Sequence, residues 1–227
     1  METISIRTIP AQKHPFQWDV TALRKYGTHT RNLFIWTSLH NYKDPLVPLY
    51  LSLCPNVTNV LLWSDLTDPQ LEQLARLPLT DLSISFSEVY SKPNLFPLFS
   101  KITHLEALIN VESESQFTLF ENFTSITHLM VSTQSNLSIL PRLFKKLPTL
   151  RVLIMMVGQH RPAIGVVGHY DPNEDDPRIV KMVPNLDDRS DDWLVRIRKG
   201  RDIWTLADEA VRERQKLNGS LQRSATD

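Results

Sequence analysis

The 227-residue chain carries 25 basic and 25 acidic side chains, so its formal net charge is zero, and 41% of its residues are apolar. This balance gives no sign of the clustered basic surface that a nucleic-acid partner requires. The single cysteine excludes a disulfide framework, and no stretch approaches the roughly 18 uninterrupted apolar residues of a membrane span. The first residues lack the apolar core of a signal peptide, so we expect a cytoplasmic or nuclear protein without a membrane partner.

Residues 1–29 predict an N-terminal cap. Ile4 and Ile6 alternate with polar residues, as in a short strand, and a helix-like stretch follows around Trp18 and Leu23. The end units of a repeat protein need a protected edge, which such a cap would provide.

A short unit recurs through residues 30–159. Its signature is the pattern L-x-x-L-x-L, which is typical of the strand in a leucine-rich repeat. The six copies begin at Thr30, Val57, Leu79, Leu105, Ile126 and Leu150. Subtracting successive starts gives spacings of 27, 22, 26, 21 and 24 residues, within the range of about 20–29 for this class. The eighth positions, where the class has Asn or Cys, hold Ser38, Asp65, Ser87, Ser113, Gln134 and Gly158.

Helix-like segments lie between the predicted strands. Asp68-Pro69 opens the clearest one, because Asp caps free N–H groups and Pro is tolerated at the first helical position. Leu71 and Leu74 then fall on one helical face. Similar apolar spacing follows the residues Asp44-Pro45 and Ser138, and recurs at Leu95–Phe99 and at Phe117–Phe123.

Alternating strands and helices predict an α/β fold. The short period and the polar eighth position favour an irregular leucine-rich-repeat solenoid, with a parallel sheet on one face and helices on the other. The alternative is an ordinary α/β domain, which also contains a parallel sheet.

Residues 160–217 predict a C-terminal cap, and residues 218–227 predict a disordered tail. The elements expected in the cap are a loop at His160–Pro177, a strand at Ile179–Val183, a helix-like run at Asp191–Gly200 and an amphipathic stretch at Ile203–Val211.

Several segments together resemble one protein family. They are Arg31–Trp36, Cys54–Trp63, Asp176–Val180, Asp192-Trp193 and Gly200–Trp204. These segments resemble the F-box and leucine-rich-repeat-like proteins of mushroom-forming fungi, over roughly Thr21 to Arg214. The resemblance implies a role as the target-binding part of a cullin-type ubiquitin ligase receptor. The chain contains no recognisable F-box, which would have to precede residue 1; the alternative is a stand-alone scaffold or shortened paralogue without a ligase role.

Residues that could carry catalysis favour structural interpretations. Cys54 has no histidine near it in sequence, although the fold could bring one close, and its place after an apolar helix predicts a buried thiol. His104 and His128 could bind a metal together, but they stand at different offsets from their repeat starts, so we expect them in different columns of the sheet.

One acidic segment resembles a calcium-binding loop. Asp171, Asn173 and Asp175 match the first three ligands, but Asp176 stands where the loop needs Gly and Met182 where it needs Glu. A solvated acidic loop is therefore expected. The sequence predicts no enzyme, no cofactor and no metal.

Strand positions three, five and seven share one face of the sheet, because strand side chains alternate. The residues predicted to contact a protein partner there are Phe34, Trp36, Asn59, Leu61, Trp63, Asp81, His128 and Met130. This face is unusually apolar, and two explanations remain open. In the first, the face is a partner site anchored by Trp36 and Trp63. In the second, the C-terminal segment with Trp193 and Trp204 covers the face internally. Either way, we predict a non-catalytic protein–protein interaction module.

Overall fold

The computed structural model describes residues 3–7, 17–36, 46–63, 67–85, 96–108, 120–132, 140–156, 165–166, 176–183 and 203–224. The strands are β1 (Thr3–Arg7), β2 (Asn32–Trp36), β3 (Asn59–Trp63), β4 (Asp81–Ser85), β5 (His104–Leu108), β6 (His128–Ser132), β7 (Val152–Met156), β8 (Gly165–Val166) and β9 (Ile179–Val183). The helices are α1 (Gln17–Tyr26), α2 (Val47–Leu53), α3 (Asp68–Arg76), α4 (Phe96–Phe99), α5 (Leu140–Lys146) and α6 (Ile203–Ser224). One turn of 3-10 helix, Gly27–His29, follows α1.

All described strands belong to one sheet. From β1 to β7 each strand pairs in parallel with the next along the chain, so spatial order repeats sequence order. Strand β9 extends the sheet in parallel beyond β7, and β8 pairs antiparallel with β9 at the edge. The predicted α/β fold with a parallel sheet is confirmed.

An apolar ladder runs through the sheet on the side that carries helices. Its members occupy equivalent positions in successive strands and are buried: Leu33, Val60, Leu82, Leu105, Leu129 and Leu153. They pack in one core with buried residues of α2 and α3 such as Leu51 and Leu74. Strand alternation explains the ladder, because residues two apart point to the same face.

Helices α2, α3, α4 and α5 lie in segments that the sequence predicts to be helical. In α3 the backbone N–H of Thr67 donates to Oε1 of Gln70 at 2.7 Å, so the helix is capped one residue before the predicted Asp68. Further along, Phe99 packs against Phe123 with ring centroids 4.5 Å apart. Asp44, Pro45, Leu95, Phe117 and Ser138 lie outside the described residues, as do all six predicted eighth positions.

Gly27, in the 3-10 turn after α1, allows this turn to approach the C-terminal end of α2 closely. A Cβ atom built on Gly27 would lie 2.1 Å from the carbonyl oxygen of Leu53 and 3.3 Å from Sγ of Cys54. Any larger residue would force these backbones apart. The chain turns directly into β2 at this point, so Gly27 fixes how closely the first helix packs against the next unit.

The fourth unit begins at Ile102 and not, as the sequence predicts, at Leu105. Leu105 pairs with Leu82 on one side and Leu129 on the other, which makes it the second apolar position of its unit. The corrected starts give spacings of 23 residues from Leu79 to Ile102 and 24 from Ile102 to Ile126. The error arose because both frames place leucine three residues after an apolar start.

The C-terminal region is partly as predicted. The expected strand at Ile179–Val183 is present as β9, and the amphipathic stretch is the beginning of α6. The tail predicted to be disordered from Asn218 is wrong for residues 218–224, which continue α6. Exposed Gly219 weakens a helix by only about 1 kcal/mol relative to alanine, and α6 continues through it to Ser224. The run Asp191–Gly200 lies outside the described residues.

None of the described helices combines the length and the apolar character needed to cross a bilayer.

Candidate functional site

A threonine ladder holds adjacent units in register just before their strands begin. Thr58, Thr80, Thr103 and Thr127 occupy equivalent positions, and from Thr80 onward each backbone N–H donates to the carbonyl of the preceding threonine at 2.9 Å. Their hydroxyl groups point to the same carbonyls, for example from Thr103 Oγ1 to the oxygen of Thr80 at 3.0 Å. We did not predict this ladder from the sequence, although an apolar-Thr-x-apolar signature spans the start of each of the strands β3, β4, β5 and β6.

A polar row follows the threonine ladder on the inner face, the side of the sheet opposite the apolar ladder. Its register partners are Asn32, Asn59, Asp81, His104 and His128. Nδ2 of Asn59 donates to Oδ1 of Asn32 at 2.6 Å, so the first two members are linked directly. The row places amides, a carboxylate and two imidazoles side by side across five strands.

The two histidines of the polar row lie in the same column, so the prediction that they would be separated is wrong. Their rings stack with centroids 4.2 Å apart and planes 10° apart. The prediction failed because it measured the offset of His104 from Leu105, whereas the unit starts at Ile102. Both histidines therefore stand two residues after their unit starts, since Ile126 precedes His128 by the same interval.

Both imidazoles contact the threonine ladder and helix α6. Nδ1 of His104 lies 3.0 Å from Oγ1 of Thr103, and Nδ1 of His128 lies 2.8 Å from Oγ1 of Thr127. The Trp204 ring meets both imidazoles edge-on, with centroid distances of 5.5 and 5.8 Å.

Asp208, one turn after Trp204 on α6, lies beside His128. Its Oδ1 is 3.3 Å from Nε2 of His128. The histidine side chain is largely buried, while the carboxylate is about one-third exposed, so water screens this contact only partly. His128 is thereby held from two sides, by its own unit and by the C-terminal helix.

Helix α6 covers the inner face over β6, β7 and β9. Trp204, Ala207 and Val211 recur at helical spacing on its buried side. They pack against the sheet residues Met130, Val152, Ile154, Met156, Val180 and Met182. The Arg214 guanidinium donates to the backbone oxygen of Ile179 and ties the same helix to β9. Internal cover, one of the two explanations for the apolar face, therefore applies to this part of the sheet.

The predicted partner-binding residues fall into three groups. Phe34, Leu61 and Met130 are 0%, 2% and 2% exposed, so the folded chain does not present them to a partner. Of the two explanations left open for this apolar face, the burial of these three residues favours internal cover, because parallel strands can be buried on both faces. His128 is buried as well, beneath α6.

The second group is partly exposed. It contains Asn59 and Asp81 of the polar row, and His104, which was not among the predicted contacts, has the same intermediate exposure. The third group is Trp36 and Trp63. Their backbones end β2 and β3, but their side chains lie outside the described part of the structure, as does Trp193.

Cys54 lies in the apolar core behind α2. Burial raises the pKa of its thiol to about 11, against a smaller lowering effect of the hydrogen bond from Thr30. Since the thiolate is the reactive form, this environment suppresses nucleophilic chemistry. The described ranges contain no group of three or more His, Cys, Asp or Glu side chains that could hold a metal ion. The calcium-like residues Asp171, Asn173 and Asp175 fall outside those ranges.

No protein-family model matches the chain, and no curated protein is significantly similar to it in sequence. The candidate site is therefore defined by geometry alone. It is the partly exposed stretch of the polar row on β3, β4 and β5, bordered by helix α6, which covers the inner face over β6, β7 and β9.

Proposed function

We propose that the chain is an irregular leucine-rich-repeat solenoid that serves as a non-catalytic protein–protein interaction module. The observation that carries this proposal is the agreement between spatial and sequence order from β1 to β7. In a solenoid each unit contacts only its neighbours, which produces such a sheet and a long surface suited to a protein ligand. The corrected spacings of 27, 22, 23, 24 and 24 residues between Thr30 and Leu150 fit that repeat class.

The partner surface in this proposal is centred on the polar row. Asn59, Asp81 and His104 are partly exposed on three consecutive strands. Polar and partly exposed side chains supply the hydrogen bonds of protein interfaces, about one for every 100–200 Å² of buried area. A partner with basic or hydrogen-bond-donating groups would complement the carboxylate at the centre of this row.

Two charge reversals in neighbouring units test the proposal. Asp81 lies on the inner face at the start of β4, whereas exposed Glu72 lies on α3 in the helical layer. We expect Asp81→Lys to remove proteins that wild type captures from its native cells, as detected by mass spectrometry, and Glu72→Lys to retain them. Both variants should first show wild-type thermal unfolding. Retention of the same partners by Asp81→Lys would contradict the inner-face site.

A narrower proposal is that the module selects targets for a cullin-type ubiquitin ligase in the cytoplasm or nucleus. It is supported by the resemblance of Cys54–Trp63 and Asp176–Val180 to fungal F-box and leucine-rich-repeat-like proteins. In that case cullin-ligase components should co-purify with the chain, and both variants, Asp81→Lys and Glu72→Lys, should keep them. If targets are captured without any such component, the stand-alone scaffold is the better description.

A further inference from the structure

We propose that the partner surface binds an arginine side chain, whose guanidinium lies over Asp81 between Asn59 and His104. This inference rests on the proposed function and specifies which chemical group of a partner the surface recognises. The three side chains are partly exposed on consecutive strands and are register partners in one row. Contacts within the chain fix which of their atoms donate and which accept, and this polarity determines the group that fits them.

Asn59 presents an oxygen toward the centre of the row. Its Nδ2 donates to Oδ1 of Asn32 at 2.6 Å, so the amide nitrogen is turned toward β2. A side-chain amide carries its nitrogen and its oxygen on opposite branches of one plane, and the oxygen only accepts hydrogen bonds. Oδ1 of Asn59 is therefore on the side of β4, where the register partner is Asp81.

The threonine ladder makes His104 an acceptor as well. Oγ1 of Thr103 donates to the carbonyl oxygen of Thr80 at 3.0 Å, which uses the one proton of that hydroxyl. Nδ1 of His104, 3.0 Å from the same Oγ1, is then the N–H donor of their contact. In the neutral imidazole the other nitrogen, Nε2, carries no proton and accepts a hydrogen bond.

Asp81 places a carboxylate between these two acceptors. An ionised carboxylate offers about four acceptor sites, so it can take two parallel N–H bonds from one guanidinium in addition to contacts within its own chain. The sequences of β2 to β6 contain no lysine or arginine, whereas buried Glu106 adds a second acid two residues after His104. This part of the inner face is therefore acidic, which favours a cationic group.

The spacing of the row favours arginine over lysine. Adjacent strands lie about 4.8 Å apart, so the strands of Asn59 and His104 are separated by roughly twice that distance. A guanidinium is planar and holds five N–H donors in a rigid fork, so it can place two on Asp81 and direct others toward the neighbouring strands. A lysine ammonium concentrates three donors at one point and reaches fewer of these acceptors.

Titration of the full chain with methylguanidinium chloride, followed by NMR, tests the site without a partner protein. The reporters are the side-chain amide of Asn59 and the imidazole of His104, observed at constant ionic strength and slightly above neutral pH. We expect saturable shifts at both reporters, and a dissociation constant at least about threefold higher for methylammonium chloride.

Two variants that each remove one negative charge separate the row from the rest of the surface. Asp81→Asn should raise the dissociation constant for methylguanidinium roughly five- to tenfold, because it removes the charge-assisted bidentate contact. Glu72→Gln, on the exposed side of α3, should leave the constant unchanged. Both variants should first show wild-type thermal unfolding. Absence of saturable shifts in the wild type, equal affinity for methylammonium, or unchanged affinity in Asp81→Asn would overturn the arginine site.

Failure of the arginine site is distinguishable from failure of the proposed function. If the chain does not bind methylguanidinium but Asp81→Lys loses the captured proteins, the arginine site is refuted and the inner-face partner site stands. If methylguanidinium binds in the row but Asp81→Lys retains every captured protein, the cation site stands and its use by those partners is refuted.

Discussion

The Trp204 indole meets the stacked ring of His128 edge-on, with centroids 5.8 Å apart and planes inclined by 71°. The two residues lie 76 positions apart in the chain, since 204 minus 128 is 76. Their contact joins the C-terminal helix to the row of polar residues that the repeated units build. Trp204 is only 3% exposed, so it acts as the main apolar anchor of α6.

Replacement of Trp204 by alanine should lower the free energy of unfolding by about 3–5 kcal/mol, because it empties a large buried site. Leu217→Ala is the matched control, since Leu217 lies on the same helix but is 46% exposed. That control should change stability by no more than about 0.5 kcal/mol. Urea unfolding of both variants measures the difference, and equal losses would show that α6 is not anchored at Trp204.

Gly27→Ala should destabilise the fold by about 1–3 kcal/mol, the usual effect of overpacking a core. The added methyl group would meet the backbone oxygen of Leu53, which cannot move aside as a flexible side chain can. Gly219→Ala provides the comparison, since a Cβ there meets nothing within 4 Å and the position is helical. It should raise stability by up to about 1 kcal/mol. Unchanged thermal unfolding of Gly27→Ala would refute the close packing of the turn after α1 against α2.

Asp176 should contribute a stabilisation that is lost in acid. Burial acts to raise the pKa of its carboxyl, but the side-chain and backbone hydrogen bonds from Arg178 and the positive charge of Arg178 outweigh burial, so the pKa lies below its usual value. Stability from this group is therefore complete above the unfolded-state pKa of about 3.9 and declines as the pH falls through the lower folded-state value. Urea midpoints between pH 6 and 3 should decrease less in Asp176→Asn than in wild type. An identical decrease would contradict this role.

Arg178 links Asp176 to the helical layer, because it also contacts Phe144 on α5. Its guanidinium lies 3.8 Å from the centroid of the Phe144 ring on α5, while its Nη2 is 2.7 Å from Oδ2 of Asp176. Arg178→Lys keeps the charge but cannot reproduce the planar fork or stack equally well. We expect this variant to lose stability by about 1 kcal/mol at pH 7. Wild-type urea unfolding of Arg178→Lys would indicate that the charge alone is sufficient.

The thiol of Cys54 should resist labelling in the native state. Its pKa of about 11 leaves little thiolate at pH 8, and the side chain is fully buried. A colorimetric disulfide reagent should react with the native protein at least about a hundredfold more slowly than with urea-unfolded protein, whose thiol has a pKa of about 8.5. Because there is one cysteine, the unfolded sample is its own control. Rapid stoichiometric labelling of the native chain would contradict the buried environment.

Sequence reasoning succeeded where local periodicity determines structure. The apolar positions Leu33, Val60 and Leu82 identified their strands, because residues that face a core alternate along a strand. Ile179–Val183 was found in the same way. These elements depend mainly on neighbours close in sequence or on a pattern that repeats.

Sequence reasoning failed where two alternative starts of a repeat unit satisfied the same apolar pattern. Around His104 both Ile102 and Leu105 are acceptable starts, and the threonine directly before β3, β4 and β6 would have favoured Ile102, which Thr103 follows. Sequence reasoning also named Phe34, Leu61 and Met130 as partner contacts, whereas all three are buried in the folded chain. Cover on the inner face, such as that of Met130 by α6, depends on long-range packing, which local patterns do not encode.

Nuclear Overhauser effects between methyl groups of the apolar ladder test the stacking of units in chain order most directly. We expect contacts from Leu82 to Leu105, from Leu105 to Leu129 and from Leu129 to Leu153, because these are register partners. Non-adjacent members should show none. Contacts that join Leu82 to Leu153 without Leu105 between them would contradict the sequential sheet, and with it the continuous inner face.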